Sequence, residues 1–175
     1  MELYVVRHGE AAPAAAGEAD AGRSLTDRGR REVAGVGAGL RSLGVGIDRI
    51  LVSPLRRAQE TADIVARELA ADTQAQPPIL ETLGELDGRA SAATMLAVLD
   101  RFEPDASIAI IGHMPGLGDL VALATAEGDA PGVSLGTASV AHLEFAGRPD
   151  PGAGRLRWLR SAGQMAGLAH PSPKS

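Results

Sequence analysis

At 175 residues, with 45% hydrophobic and 22% charged side chains, the chain has the size and balance of one soluble domain that can bury its own core. A net charge of −5 argues against general binding to nucleic acid or to anionic membrane surfaces, although not against a small basic pocket. The absence of cysteine excludes disulfides, a thiol nucleophile and a cysteine zinc site, and no apolar run reaches membrane-spanning length. The first strand also lacks a basic n-region and a cleavage site, so a cytoplasmic location is expected.

Residues 2–6 read as a strand that stops at Arg7-His8-Gly9. Residues 11–23 are rich in Ala, Gly and Pro without a period and read as a loop. Thr26 is a suitable N-cap for a helix over 27–43, in which Val33, Val36, Leu40 and Leu43 recur at helical spacing before Gly44. A second strand is predicted over 47–52. Ser53-Pro54 then predicts a helix start, with serine as N-cap and proline in the first turn, and the helix runs to Leu69. Residues 72–88 are irregular apart from a short strand at Ile79-Leu80, and a helix is predicted over 90–102.

A third strand over 107–111 leads into Gly112-His113-Met114-Pro115-Gly116 and a helix to Thr125. Two late strands, 140–145 and 156–159, flank the Gly- and Pro-rich loop 147–154 and form an antiparallel pair. One domain is expected over 1–161. The Gly- and Pro-punctuated residues 162–175 are expected to be a partly disordered tail. The alternation predicts an α/β fold: a three-layer α/β/α sandwich around a mostly parallel sheet, with one antiparallel strand at or near an edge.

Three predicted strand ends each carry a polar motif: Arg7-His8-Gly9-Glu10, Ser53-Pro54-Leu55-Arg56-Arg57-Ala58 and Gly112-His113-Met114-Pro115. In an open α/β sheet, ligands bind outside the carboxyl ends of the strands. Two of these ends also begin helices, whose free N–H groups attract anions. Two histidines, several arginines and helix N-termini on one edge form a phosphate cradle.

Each motif alone has an ordinary reading. His8 is equally well a satisfied strand-end histidine, and His113 a capping residue before Pro115. Arg56 and Arg57 are adjacent, so at most one faces a site. His142 alternates within a strand and reads as sheet packing; His170 lies in the expected tail. Glu10, Glu81, Glu85 and Asp87 read as solvated acids. The only lysine is Lys174, so arginine is the default cation here and one arginine alone carries little weight. The shared topological position of the three motifs carries the reading.

Together these motifs resemble the histidine phosphatase superfamily, and most closely its small SixA-like branch of phosphohistidine phosphatases. The resemblance extends through Arg23-Ser24-Leu25-Thr26, Gly29 and Thr61, and covers residues 1–161. It implies a phosphoglycerate mutase-like fold and a phosphoenzyme mechanism. His8 would be the nucleophile, its tautomer fixed by a hydrogen bond from its other ring nitrogen. Arg7, Arg57 and His113 would hold the phosphoryl oxygens, with Gly9, Met114 and Arg23 as further substrate contacts. No metal or other cofactor is implied.

Larger relatives place an acid on a segment between the second and third motif strands. Here that segment is short, and Glu85 is the candidate. A short segment leaves little lid, which favours a phosphorylated protein over an enclosed small phosphate ester. A phosphohistidine P–N bond also asks less of an acid. The alternatives are a phosphosugar or nucleotide phosphatase of the same mechanism, and a weakly active phosphate-binding module. No Gly-x-Gly-x-x-Gly follows the first strand, which disfavours a dinucleotide module. Two separated histidines with loose carboxylates are a poor metal-ligand set.

Overall fold

In a computed structural model, residues 1–14, 19–71, 76–126 and 130–169 are described. Strand β1 (Glu2–Arg7) leads through a 3-10 turn at Asp20–Gly22 to helix α1 (Asp27–Ser42). Then follow β2 (Arg49–Val52), α2 (Arg56–Leu69), β3 (Ile79–Thr82), α3 (Ala92–Ala97), β4 (Ser107–Gly112) and α4 (Gly116–Thr125). The chain finishes with β5 (Val140–Phe145), β6 (Gly154–Arg160) and α5 (Ala162–Ala169). The sheet order is β3-β2-β4-β1-β5-β6. All pairings are parallel except those of β5, which runs against both β1 and β6. The one reversed strand therefore lies next to the edge, as its hairpin predicted.

The sheet is buried on both faces, which explains the apolar runs of its central strands. Side chains alternate across a strand. Leu3 and Val5 of β1 and Ile108 and Ile110 of β4 pack with α3 and α4 on one face. Tyr4, Val6, Ala109 and Ile111 pack with α1, α2 and α5 on the other. Each such Leu, Ile or Val contributes about 1.5–3 kcal/mol by leaving water. Slipping β1 by one residue would exchange its two faces, so the pattern also fixes its register.

Helix α1 starts where its cap predicted: the Thr26 hydroxyl accepts from the Gly29 N–H at 2.9 Å. The predicted helix over 90–102 is shorter. Ser91 caps α3 by accepting from the Thr94 N–H at 3.1 Å, and the chain tightens into a 3-10 turn over Val98–Arg101.

Two expectations are corrected. The predicted Ser53 cap with Pro54 in the first turn does not form, because Ser53 is fully buried and α2 begins only at Arg56. The expected tail from 162 is helix α5 over its first eight residues, so the domain extends past 161. Residues 170–175, including His170, lie outside the described residues. Met165 of α5 is fully buried in the core, and α5 lies against α1.

Helix α5 docks so closely that a Cβ on Gly39 would stand 2.3 Å from the Met165 carbonyl oxygen. Gly39→Val is therefore expected to destabilise the protein by about 1–3 kcal/mol, the usual scale of overpacking. A thermal melt reads this out; an unchanged midpoint would mean that α5 does not hold this position. Among the described residues, no helix is long and apolar enough to cross a membrane.

Candidate active site

The three motif strands are adjacent. Register pairs Arg7 with Gly112 and Val52 with Ile111, so His8, His113 and Ser53 leave the sheet side by side. The backbone of His8 is held on two sides. Its N–H donates to the Gly112 carbonyl at 3.2 Å, and its carbonyl accepts from the Ala138 N–H at 3.1 Å. The Nδ1 atom of His8 lies 2.7 Å from the Gly9 carbonyl oxygen. A carbonyl only accepts, so Nδ1 carries the proton and Nε2 keeps its lone pair.

The His113 ring is almost buried, with its centroid 5.0 Å from that of His8. Its Nε2 is 2.7 Å from the Ser53 hydroxyl. That hydroxyl also accepts from the Leu55 N–H at 3.2 Å. The buried Nδ1 of His113 has no hydrogen-bond partner among the described residues.

Both imidazoles are kept neutral. Burial first, then the charges of Arg57, Arg7 and Arg23, push the His8 pKa from 6.5 to about 4, against the opposing hydrogen bond to Gly9. Burial, His8 and Arg57 likewise bring His113 to about 4. Desolvation and nearby cations both disfavour the protonated ring, so the two effects act in one direction. In an NMR titration of the ring protons, His8 and His113 should therefore inflect near 4, while an inflection of His8 near 6.5 would contradict this environment.

Arg7 donates from Nη1 to the Leu135 carbonyl at 2.7 Å, while its buried Nε has no partner among the described residues. A buried polar group left unpaired costs roughly 1–3 kcal/mol, so Arg7 Nε and His113 Nδ1 mark where the polar atoms of a ligand belong. Arg57, also nearly buried, donates from Nη1 to the Asp20 carbonyl at 2.9 Å and from Nη2 to its Oδ2 at 3.0 Å. Arg23 donates to Oδ1 of the same carboxylate at 2.9 Å. These hydrogen bonds, from Arg23 first and then Arg57, hold the Asp20 carboxyl below the usual carboxylate range. A cleft of about 470 Å³ opens beside them, lined by Asp20, Arg57, Asp87, Arg89, His113 and Met114.

The structure thus brings Arg7, His8, Arg57 and His113 together, with Met114 at the cleft. Arg23 reaches this cluster only through Asp20. Arg56 is exposed and pairs with Glu60 at 2.9 Å, so Arg57 is the inward member of the pair.

Two expected residues are placed differently. The Gly9 N–H donates to the Thr61 hydroxyl at 3.1 Å and is not free for a ligand. A Cβ on Gly9 would meet Val33 Cγ2 at 2.7 Å, so this glycine lets the strand end close against α1. Glu85 is exposed and does not line the cleft; in the same 3-10 turn Leu86 is buried as its anchor, and Asp87 reaches the cleft instead.

Sequence reasoning missed Asp20 and the part played by Ser53. The spacing of Asp20 three residues before Arg23 was the only local trace of the first. The Ser-Pro pair pointed to a cap and obscured the second. His142 is sheet packing, stacked on Tyr4 and paired with Glu2. Among the described residues, no three His, Asp or Glu side chains gather as a metal-binding group.

A strand-end histidine kept neutral between buried arginines and a second histidine is the arrangement of a phosphoryl-transfer site. Residues 3–107 match the histidine phosphatase superfamily (branch 1). The chain belongs to this superfamily, within its SixA-like branch, and is by class a hydrolytic phosphatase. It is 36% identical over 124 residues to the phosphohistidine phosphatase SixA of Escherichia coli K12, covering 70% of this chain and 73% of that protein. The solved structure of the protein histidine phosphatase SixA complexed with tungstate superposes with a TM-score of 0.80 at 30% identity, over 93% of this chain and 98% of that one. The alpha-ribazole phosphatase of Shigella flexneri shares the fold at 20% identity, with a TM-score of 0.66 over 93% and 97% of the two chains.

Proposed function

We propose that the protein removes phosphoryl groups from phosphohistidine in proteins through a covalent intermediate on His8. The observation that carries this reading is a neutral His8 with an available Nε2 lone pair, flanked by two buried nitrogens without a partner among the described residues, Arg7 Nε and His113 Nδ1. The likeness to SixA, a phosphohistidine phosphatase, supports the substrate class.

In the first step the Nε2 lone pair of His8 attacks phosphorus in line. The P–N bond to the substrate imidazole breaks, and its electron pair goes to that ring nitrogen. A substrate ring protonated on its other nitrogen leaves as neutral imidazole, so no separate acid is required. Arg7, Arg57 and His113 hold the equatorial oxygens as charge builds on them. In the second step water attacks phosphorus, the Nε2–P bond breaks with its electron pair returning to Nε2, and hydrogen phosphate leaves with one of the water's protons while the other is released to solvent. The arginines supply the electrostatic role that metal ions fill in other phosphoryl-transfer enzymes.

Between β3 and β4 the chain forms only short turns and α3, so nothing large is available there to enclose a small substrate. A shallow cleft suits a phosphoryl group presented by a protein surface. We infer that the enzyme acts in the cytoplasm. The alternative is a small phosphate ester as substrate, since the cradle itself reads only the phosphoryl group. The deciding experiment compares kcat/KM for a phosphohistidine peptide with that for a panel of phosphosugars and nucleotides. The peptide should be preferred, and a clear preference for one small ester would overturn the protein-phosphatase reading.

A further inference from the structure

We propose that Asp20 is a resident competitor for the phosphoryl group, whose carboxylate occupies Arg57 in the free protein and limits how tightly product phosphate is held. This inference rests on the phosphatase reading above and concerns the same cradle.

The geometry at Arg57 motivates it. The Arg57 side chain is only 9% exposed, yet its charge partner Asp20 is 63% exposed. A solvent-facing carboxylate needs no buried guanidinium to satisfy it. Asp20 nonetheless engages cations through both oxygens, Oδ2 to Arg57 at 3.0 Å and Oδ1 to Arg23 at 2.9 Å. These are the contacts that two oxygens of a phosphate would make with a pair of arginines. Arg7 Nε, buried without a partner among the described residues, is out of this arrangement.

An incoming phosphate meets two options at Arg57. It can displace the carboxylate and lose an existing ion pair, or share the guanidinium and sit beside a like charge. Either way Asp20 weakens the binding of any phosphoryl anion. A phosphorylated protein offsets this through contacts outside the cradle, whereas free phosphate has none to offer. The device therefore acts hardest on the product, and it disfavours small anions relative to protein-borne ones.

The ordinary alternative is that Asp20 merely orients Arg57. The two readings differ in sign. Loss of an orienting group weakens phosphate binding; loss of a competitor tightens it. Calorimetric binding of inorganic phosphate to the full chain, with Asp20→Asn and Asp20→Ala beside the parent, separates them. Both variants should bind phosphate roughly fivefold or more tightly, the scale of one partly exposed ion pair. Their product-inhibition constants should fall in parallel. Melting curves confirm that both variants are folded at the assay temperature. Unchanged or weaker phosphate binding in the variants, with a parent that binds phosphate and hydrolyses phosphohistidine peptide, would overturn this inference alone. A parent that hydrolyses neither phosphohistidine peptide nor any small phosphate ester would remove the phosphatase reading with it.

Discussion

Alanine at position 8 is expected to lower turnover of a phosphohistidine peptide by about 10⁴-fold or more, the scale on which losing a nucleophile acts elsewhere. The reason is geometric as well as chemical. Among the described histidines only His8 combines a free Nε2 with a protonated Nδ1 fixed on a backbone carbonyl, and its environment keeps it neutral at pH 7. His113 stands beside it but has Nε2 engaged with Ser53, so it cannot take over the attack. The parent, mixed with a radiolabelled phosphoryl donor and quenched in alkali, should carry label that acid removes, and His8→Ala should carry none. The variant should still fold, since the hydrogen bonds that hold this segment to Gly112 and Ala138 come from the backbone. Activity within tenfold of the parent, or label retained in the variant, would mean that another group attacks phosphorus.

Arg57→Ala should cost ~10²–10³ in kcat, comparable to removing a donor that stabilises charge in the transition state. Arg57 sits in the first turn of α2 with its guanidinium almost buried, so water replaces it poorly. Arg57→Lys should recover little, because one ammonium cannot reproduce the planar fork of a guanidinium toward phosphoryl oxygens. Arg56→Ala is the matched control. Its side chain is 58% exposed and paired with Glu60 along the helix, so its removal should leave kcat near that of the parent. Steady-state kinetics on the peptide substrate checks all three. Equal losses for Arg56→Ala and Arg57→Ala would show that helix α2, and not one guanidinium, is what matters.

Most of the fold was legible because its signals are local. Alternating and continuous apolar runs gave β1, β4 and β5, and the Thr26 cap gave α1. The cluster His8, Arg7, Arg57 and His113 was legible for a different reason: parallel strands deliver their carboxyl ends to one edge, so three short motifs could be placed together before any geometry was known. What failed was whatever tertiary contact decides. Helix α5 has glycines at 163 and 167 and little propensity of its own; it forms where Met165 and Ala162 find the groove beside Gly39. Ser53 carried a good capping signal, but burial against His113 used its hydroxyl otherwise. Glu85 and Asp87 are two positions apart in one turn, and no sequence rule says which side of a 3-10 turn meets the cleft. Asp20 sat in a stretch of small residues with no period, where an acid looks merely solvated.

The placement of β5 has one more consequence. By pairing with β1 and carrying β6 beyond it, β5 turns β1 from an edge into an interior strand, bonded along its length to β4 and β5. Local opening of such a strand requires breaking two ladders at once and approaches the free energy of global unfolding. The amides of β1 should thus be among the slowest in the molecule to exchange with deuterated solvent. His8, the proposed nucleophile, follows directly from this interior strand, while Asp20 comes from a surface turn. On that reading, adaptation to different phosphorylated proteins would fall to the rim, and the reacting atom would stay fixed.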